Sequence, residues 1–211
     1  MKYSAIIFDL DGVICHTDKY HYEAWKEIAD RLHIPFDESI NNRLRGVSRM
    51  ESFNIILEKY DYEMSENDKV MYAEEKNNIY KNLLMNMSPK DLSVEVKNTL
   101  DELRNRGMKL AIGSSSKNAK FILKQIGLGD FFDAISDGNN ITKSKPDPEV
   151  FLKAAELLNL PPQKCLVVED ADAGLIAANE GGMDSCAIGD AISSNIATYN
   201  LSSFNDLLVI I

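Results

Sequence analysis

In the stretch IIFDLDGVICHTDKYH, Ile6 to His21, an apolar run leads straight into Asp9 and Asp11, with Gly12 directly after them. Strands that bury their side chains do not ordinarily end in paired acids, so the pair serves a turn, a cap or chemistry. Polar groups gather where other apolar runs stop. Ser114-Ser115-Ser116-Lys117-Asn118 follows residues 110–113, Lys143-Ser144-Lys145-Pro146-Asp147-Pro148 lies in the loop after residues 134–136, and Glu169-Asp170 ends residues 166–168. Taken singly, each reads as an N-cap or a solvated loop. Together they define a site. Four carboxylates (Asp9, Asp11, Glu169 and Asp170) on one edge repel one another unless a cation neutralises them. Oxygen-only ligands select a hard ion such as Mg²⁺. Serine hydroxyls, the N–H groups of a helix start and Lys145 add a phosphate cradle. That set of groups describes phosphoryl transfer.

The elements that must position them follow from periodicity. After residue 90, short apolar runs at 110–113, 134–136, 166–168 and 185–188 alternate with helix-period patterns. Val96, Leu100 and Leu103 form one such pattern, stopped by Gly107; Phe151, Ala155 and Leu158 form another, ended by Pro161-Pro162. A third, alanine-rich, runs over 171–180 to Gly181-Gly182. Buried strands alternating with helices predict an α/β fold, a doubly wound parallel sheet covered on both faces and joined by the strand at 5–8. Residues 16–87 contain no strand-like run. They show helical stripes at Trp25, Ile28, Ala29 and Leu32, then Phe53, Ile56, Leu57 and Tyr60, then Val70, Ala73, Asn77 and Tyr80. The expectation is a core of 1–15 and 88–211 with a helical cap, 16–87, over the carboxyl ends of the strands, where such sheets bind ligands.

The chain has 211 residues, 45% of them hydrophobic, and a formal charge of −10, which disfavours nucleic-acid and membrane-surface partners. Cys15, Cys165 and Cys186 are scattered, without zinc spacing, and suit a reducing compartment. The first four residues lead directly into the strand at 5–8, so no signal peptide is expected, and the expected location is cytoplasmic.

These motifs resemble, in order and spacing, those of the haloacid-dehalogenase superfamily of aspartate-nucleophile phosphotransferases. Asp9-Leu10-Asp11-Gly12 matches the first motif, Ser114 the second, Lys145 the third and Glu169-Asp170 the fourth. The resemblance implies that Asp9 attacks phosphorus and Asp11 acts as acid and base. It also implies that Asp9, the Asp11 carbonyl and Asp170 hold Mg²⁺, with Glu169 in or beside that shell. Ser114 and Lys145 would then hold the transferring phosphate. The presence of Asp11 disfavours the dehalogenase branch.

Within the superfamily, Arg43 to Ser52 (RLRGVSRMES) is similar to a cap segment of the β-phosphoglucomutase family. Thr17 and His21 with Ala24-Trp25-Lys26, the run Ser114 to Asn118, and Ser144 to Phe151 (SKPDPEVF) are similar too. A mutase must grip two phosphates. Arg49 suits the remote one through its planar fork, with Ser115, Ser116, Lys117 and Asn118 sharing that work from the core. Gly46-Val47 would approach the sugar, and Arg45 and Lys76 would meet it as lid cations. His21, on the face of Thr17, would contact the acid/base loop. His33 is expected to be structural, and Trp25, Tyr22 and Phe53 to be core. His16 and Cys15 depart from the family pattern at the hinge. The implied activity is interconversion of β-glucose 1-phosphate and glucose 6-phosphate by a monomer acting on sugar phosphates. A Mg²⁺-dependent sugar-phosphate phosphatase and a non-catalytic phosphosugar sensor are the alternatives, the sensor having no need of a nucleophile.

Overall fold

Every side chain of β1 (Ala5–Phe8) is buried, and their alternation divides the strand between two cores. Ile6 and Phe8 enter one, with Leu100, Leu103 and Ile122; Ala5 and Ile7 enter the other, with Phe151, Ala154 and Ala177. A strand that is apolar on both faces is the mark of a parallel sheet covered on both sides. Burying Phe8 alone is worth about 2–3 kcal/mol.

The computed structural model describes residues 2–211. After β1 come four helices, α1 (Asp18–Arg31), α2 (Glu38–Asn42), α3 (Arg49–Leu57) and α4 (Glu66–Leu84). Then follow α5 (Val94–Asn105), β2 (Lys109–Gly113), α6 (Ala119–Gln125), β3 (Ala134–Ser136), α7 (Glu149–Leu157) and β4 (Cys165–Glu169). The chain closes with α8 (Asp172–Glu180), β5 (Asp184–Ile188), β6 (Tyr199–Leu201) and α9 (Leu207–Ile210). All strand pairs are parallel, in the order β3-β2-β1-β4-β5-β6. The order reverses between β1 and β4, which opens a crevice beyond their carboxyl ends. β6 has no counterpart among the apolar runs of the sequence, for a physical reason: Tyr199-Asn200-Leu201 is a short edge strand with only Leu201 buried.

The helices inserted after β1 carry a core of their own, with Trp25, Ile28, Ala29, Phe53 and Ile56 at its centre. Serine caps start them locally: Ser48 Oγ accepts from Glu51 N at 3.2 Å, and Ser65 Oγ accepts from Asp68 N at 3.2 Å. On α4 the expected inner stripe is corrected. Ala73, Lys76, Tyr80 and Leu84 are buried, whereas Val70 is 46% exposed. Lys76 takes an inner position because its ammonium lies over the rings of Trp25 and Tyr80, 4.9 and 4.5 Å from their centroids. Among the described residues no helix is long and apolar enough to cross a membrane.

Candidate active site

Strand register brings the motifs together. Phe8 pairs with Val168 and Ile112, so Asp9 emerges beside Glu169 and Gly113, and its N–H donates to the Val168 carbonyl at 2.9 Å. Ser114, one residue past β2, donates its N–H to the Ser136 carbonyl at 3.0 Å. Lys145 comes from the β3–α7 loop. The middle of that loop is tied down by Glu149, whose carboxylate accepts from Thr142 N at 3.0 Å and Lys143 N at 2.7 Å.

The Lys145 ammonium, almost fully buried, donates to Asp9 Oδ1 at 2.6 Å and also to Glu169 Oε1. Burial alone would lower its pKa, but the charges of Asp9 and Glu169 outweigh that and raise it. Glu169 is pushed up to about 7 by burial in spite of Lys145, and Asp170 to about 8 by burial and the neighbouring charges of Asp9 and Glu169. Close packing makes room for these acids. A Cβ on Gly12, whose φ is +85°, would lie 1.9 Å from Asp170 Oδ2, and one on Gly174 would lie 1.9 Å from Glu169 Oε1.

Asp9, Glu169 and Asp170 offer oxygens within 4.8 Å of one another, so three carboxylates face the single ammonium of Lys145. With all of them ionised, that leaves a formal charge of −2, carried on oxygen donors. The set fits a hard divalent cation. The side chain of Asp11 stands outside the cluster, which corrects the expectation of four converging carboxylates. It accepts the hydroxyl of Thr17, which in turn accepts from the buried Tyr80 hydroxyl at 3.0 Å. Burial, ahead of the charge of Asp9, pushes Asp11 up to about 7.

The phosphate cradle also differs from expectation. Two of its N–H groups are already used: Ser116 N donates to Ser114 Oγ at 3.2 Å, and Asn118 N to Ser116 Oγ at 3.1 Å. These bonds leave the Ser114 hydroxyl hydrogen free to donate. Gly138, where a Cβ would lie 2.5 Å from the Ser115 carbonyl, packs behind this turn.

A cavity of about 450 Å³ lies between the strand ends and the inserted helices. Asp9, Asp11, Ser114, Lys145, Glu169 and Asp170 line its floor. Ser115, Ser116, Lys117 and Asn118 line one side, and His21, Arg45, Gly46, Val47, Arg49 and Lys76 come from the inserted helices. Thr17 is fully buried beneath it. Trp25 stacks on Phe53 in the inserted core and also reaches the cavity.

Three cations there behave differently. Arg49, half-buried at the start of α3, has no ion-pair partner among the described residues, and burial lowers its pKa. Lys76 has no carboxylate partner there either; its ammonium lies 2.9 Å from His21 Nδ1, and burial lowers its pKa strongly. Arg45, expected to meet sugar or phosphate as a lid cation, is held by carboxylates instead. It pairs with Asp18 at 2.9 Å and with Asp190 at 2.8 Å. His21 is corrected as well: its ring meets Lys76 and Tyr80 rather than the acid/base loop, and burial lowers its pKa ahead of the charges of Lys76 and Arg49.

Sequence reasoning gives Asn77 only a place on a helical stripe, whereas its Oδ1 accepts from Asn118 Nδ2 at 2.9 Å across the cavity rim. It treats Tyr80 only as packing. Asn77 lies four residues after Ala73 and three before Tyr80, and Tyr80 lies four after Lys76, so helical spacing is the available signal.

A β1 acid pair, a strand-end serine, a buried lysine and a β4 acid pair on a doubly wound sheet define an aspartate-centred phosphotransferase site. The family model of haloacid dehalogenase-like hydrolases matches residues 3–182, and the chain belongs to that family, in its β-phosphoglucomutase group. It is 41% identical to β-phosphoglucomutase of Bacillus subtilis over 88% of this chain and 83% of that one. A crystal structure of β-phosphoglucomutase from Clostridium difficile superposes with a TM-score of 0.90 at 40% identity, covering 97% of this chain and 93% of that one. The chain is also 31% identical to a phosphorylated carbohydrates phosphatase of Thermotoga maritima, over 85% of this chain and 82% of that one. A fructose-1-phosphate phosphatase of Escherichia coli is 30% identical over 87% of this chain and 95% of its own.

Proposed function

We propose that this enzyme interconverts β-D-glucose 1-phosphate and D-glucose 6-phosphate through an aspartyl-phosphate on Asp9 and an enzyme-held β-glucose 1,6-bisphosphate. One observation carries the reading. In a chain of formal charge −10, the half-buried Arg49 faces the cavity of Asp9 with no carboxylate within ion-pair distance among the described residues, although Glu74 lies near enough to act on its charge. Holding a guanidinium half-buried without a close counter-ion is costly, and a substrate with a second phosphate supplies what it lacks. The 41% identity to the Bacillus β-phosphoglucomutase supports the choice of sugar.

In this reading Asp9 Oδ attacks phosphorus, and Ser114 and Lys145 hold the phosphoryl oxygens. Asp11, with a pKa near 7, takes a proton from the accepting sugar hydroxyl and returns it to the leaving oxygen in the reverse transfer. Thr17 orients that carboxylate. Arg49 grips the distal phosphate, aided by Ser116, Lys117 and Asn118. Gly46 and Val47 approach the sugar, and residues 16–87 act as a cap over the core of 1–15 and 88–211. Asp9, Asp170 and the Asp11 carbonyl would hold Mg²⁺ with Glu169 beside them, and the ion when bound supplies positive charge against the transferring oxygens.

The 31% and 30% identities to two sugar-phosphate phosphatases favour a second reading, hydrolysis. The deciding experiment supplies β-glucose 1-phosphate, Mg²⁺ and a trace of bisphosphate, and scores glucose 6-phosphate against free phosphate. Glucose 6-phosphate in excess supports the mutase; free phosphate in excess transfers the assignment to the phosphatase.

A further inference from the structure

Arg45 stands between two cavities. Together with Asp170 and Ala171 it lines both the main cavity and a second one of about 320 Å³, which is bounded on its far side by Asp172, Asp190 and Ser193. Asp170 can therefore be approached from the side as well as from the substrate cavity, and the Arg45 side chain is part of the wall between the two.

The guanidinium is held at both ends, by partners of different kinds. Asp18 is the first residue of α1, so the Arg45–Asp18 pair at 2.9 Å is internal to the inserted helices and survives any movement of them as a body. Asp190 lies in the 3₁₀ segment Gly189–Ser194 after β5, so the Arg45–Asp190 pair at 2.8 Å crosses from the insertion to the sheet domain. The adjacent Gly46 is docked from the opposite side, where its carbonyl accepts from Ser115 Oγ at 3.3 Å. Asp18 thus presents Arg45 ready-oriented, and Asp190 closes it down.

We propose that Asp190 is a positioning residue, which through Arg45 latches the inserted helices onto the sheet and seals the side cavity against water. This rests on the phosphoenzyme reading in one respect: the consequence of the seal is the fate of phospho-Asp9. Where water enters, its oxygen bonds to phosphorus, the bond from phosphorus to the Asp9 carboxylate breaks, and inorganic phosphate leaves with the displaced proton taken up by a base or solvent. A sealed site directs the same phosphoryl group to a sugar hydroxyl. The Asp190 side chain is 86% exposed, so the latch is weak and screened by salt.

The test uses the full chain with spin labels at N54C on α3 and E180C at the end of α8, all three native cysteines being buried. Wild type should show a short label distance at low salt that lengthens as NaCl rises. D190N should be long at every salt concentration, and D172N, which removes a neighbouring carboxylate with no ion pair among the described residues, should follow wild type. Phosphoenzyme hydrolysis measured against transfer to sugar should rise about three- to fivefold in D190N and stay level in D172N. A D190N protein that is as closed and as salt-sensitive as wild type overturns the latch, whatever chemistry is found at Asp9. Altered distances with an unchanged partition overturn the seal. A chain that never acquires phosphate on Asp9 overturns the phosphoenzyme reading, and the distance measurement still decides the latch.

Discussion

Lys145 and Asp9 lie 136 residues apart in the chain, yet the ammonium of one sits 2.6 Å from Oδ1 of the other, with Lys145 almost wholly buried. The same ammonium also engages Glu169, so one cation holds the end of β1 to the end of β4. Removing it leaves two buried carboxylates facing each other. Lys145→Met should destabilise the fold by about 3 kcal/mol, the usual scale for breaking a buried pair from one side. It should also abolish phosphorylation by acetyl phosphate. Denaturant titration and intact-protein mass measure the two effects, and Mg²⁺ should restore part of the stability.

Gly12 tests the acid cluster sterically. Its φ is +85°, and a methyl group at this position would sit 1.9 Å from Asp170 Oδ2, which leaves no room for alanine. Gly12→Ala should cost about 1–2 kcal/mol in backbone strain and weaken Mg²⁺ binding at least tenfold by displacing Asp170. Calorimetric titration with Mg²⁺ gives the second number. Unchanged affinity would remove Asp170 from the metal site.

The pH dependence follows from the same acids. The carboxyl of Asp170 is raised from 3.8 to about 8, and Glu169 is raised from 4.5 to about 7. The folded, metal-free chain therefore retains protons that the unfolded chain sheds. Its stability should fall as pH climbs from about 4 to 8, the reverse of an ion-paired acid. Mg²⁺ must displace those protons, so its affinity should tighten with rising pH and level off above about 8. Titrations at pH 6.5 in buffers of different ionisation enthalpy should show proton release that is largely gone at pH 9.

Arg49 separates mutase from phosphatase. A lost contact to a desolvated distal phosphate costs about 2–5 kcal/mol, or roughly one and a half to four decades in rate. Arg49→Ala should therefore collapse sugar-phosphate isomerisation while leaving Asp9 open to acetyl phosphate, which has no distal phosphate. Arg49→Lys should recover only part, since an ammonium lacks the planar fork. An equal loss in both reactions would place Arg49 in closure rather than in binding.

Asp9→Asn should keep the fold and form no covalent phosphoenzyme, because a carboxamide is not a nucleophile of the same kind. Mass spectrometry after exposure to acetyl phosphate checks it, and a phosphorylated variant would move the nucleophile elsewhere.

What the sequence determined by itself is whatever local pattern encodes. The all-apolar run 5–8 dictates a strand buried on both faces, the i, i+4, i+7 spacing of Val96, Leu100 and Leu103 dictates α5, and acids, serines and lysine placed at run ends dictate one functional edge. Partner choice was not legible, because it depends on which segments the sheet order makes neighbours. Arg45 and Lys76 both read as lid cations for sugar or phosphate, yet the fold gives Arg45 two carboxylates and gives Lys76 a histidine nitrogen and two aromatic faces. His21 and Thr17 share a helical face in the sequence, but Thr17 alone reaches Asp11, since Tyr80 and Lys76 occupy the space beside the His21 ring. The edge strand β6 escaped for a related reason: its hydrogen bonds to β5, not its own side chains, make it a strand. Periodicity is a property of a segment, whereas ion pairing, desolvation and edge pairing are properties of the space between segments, and only the tertiary structure decides those.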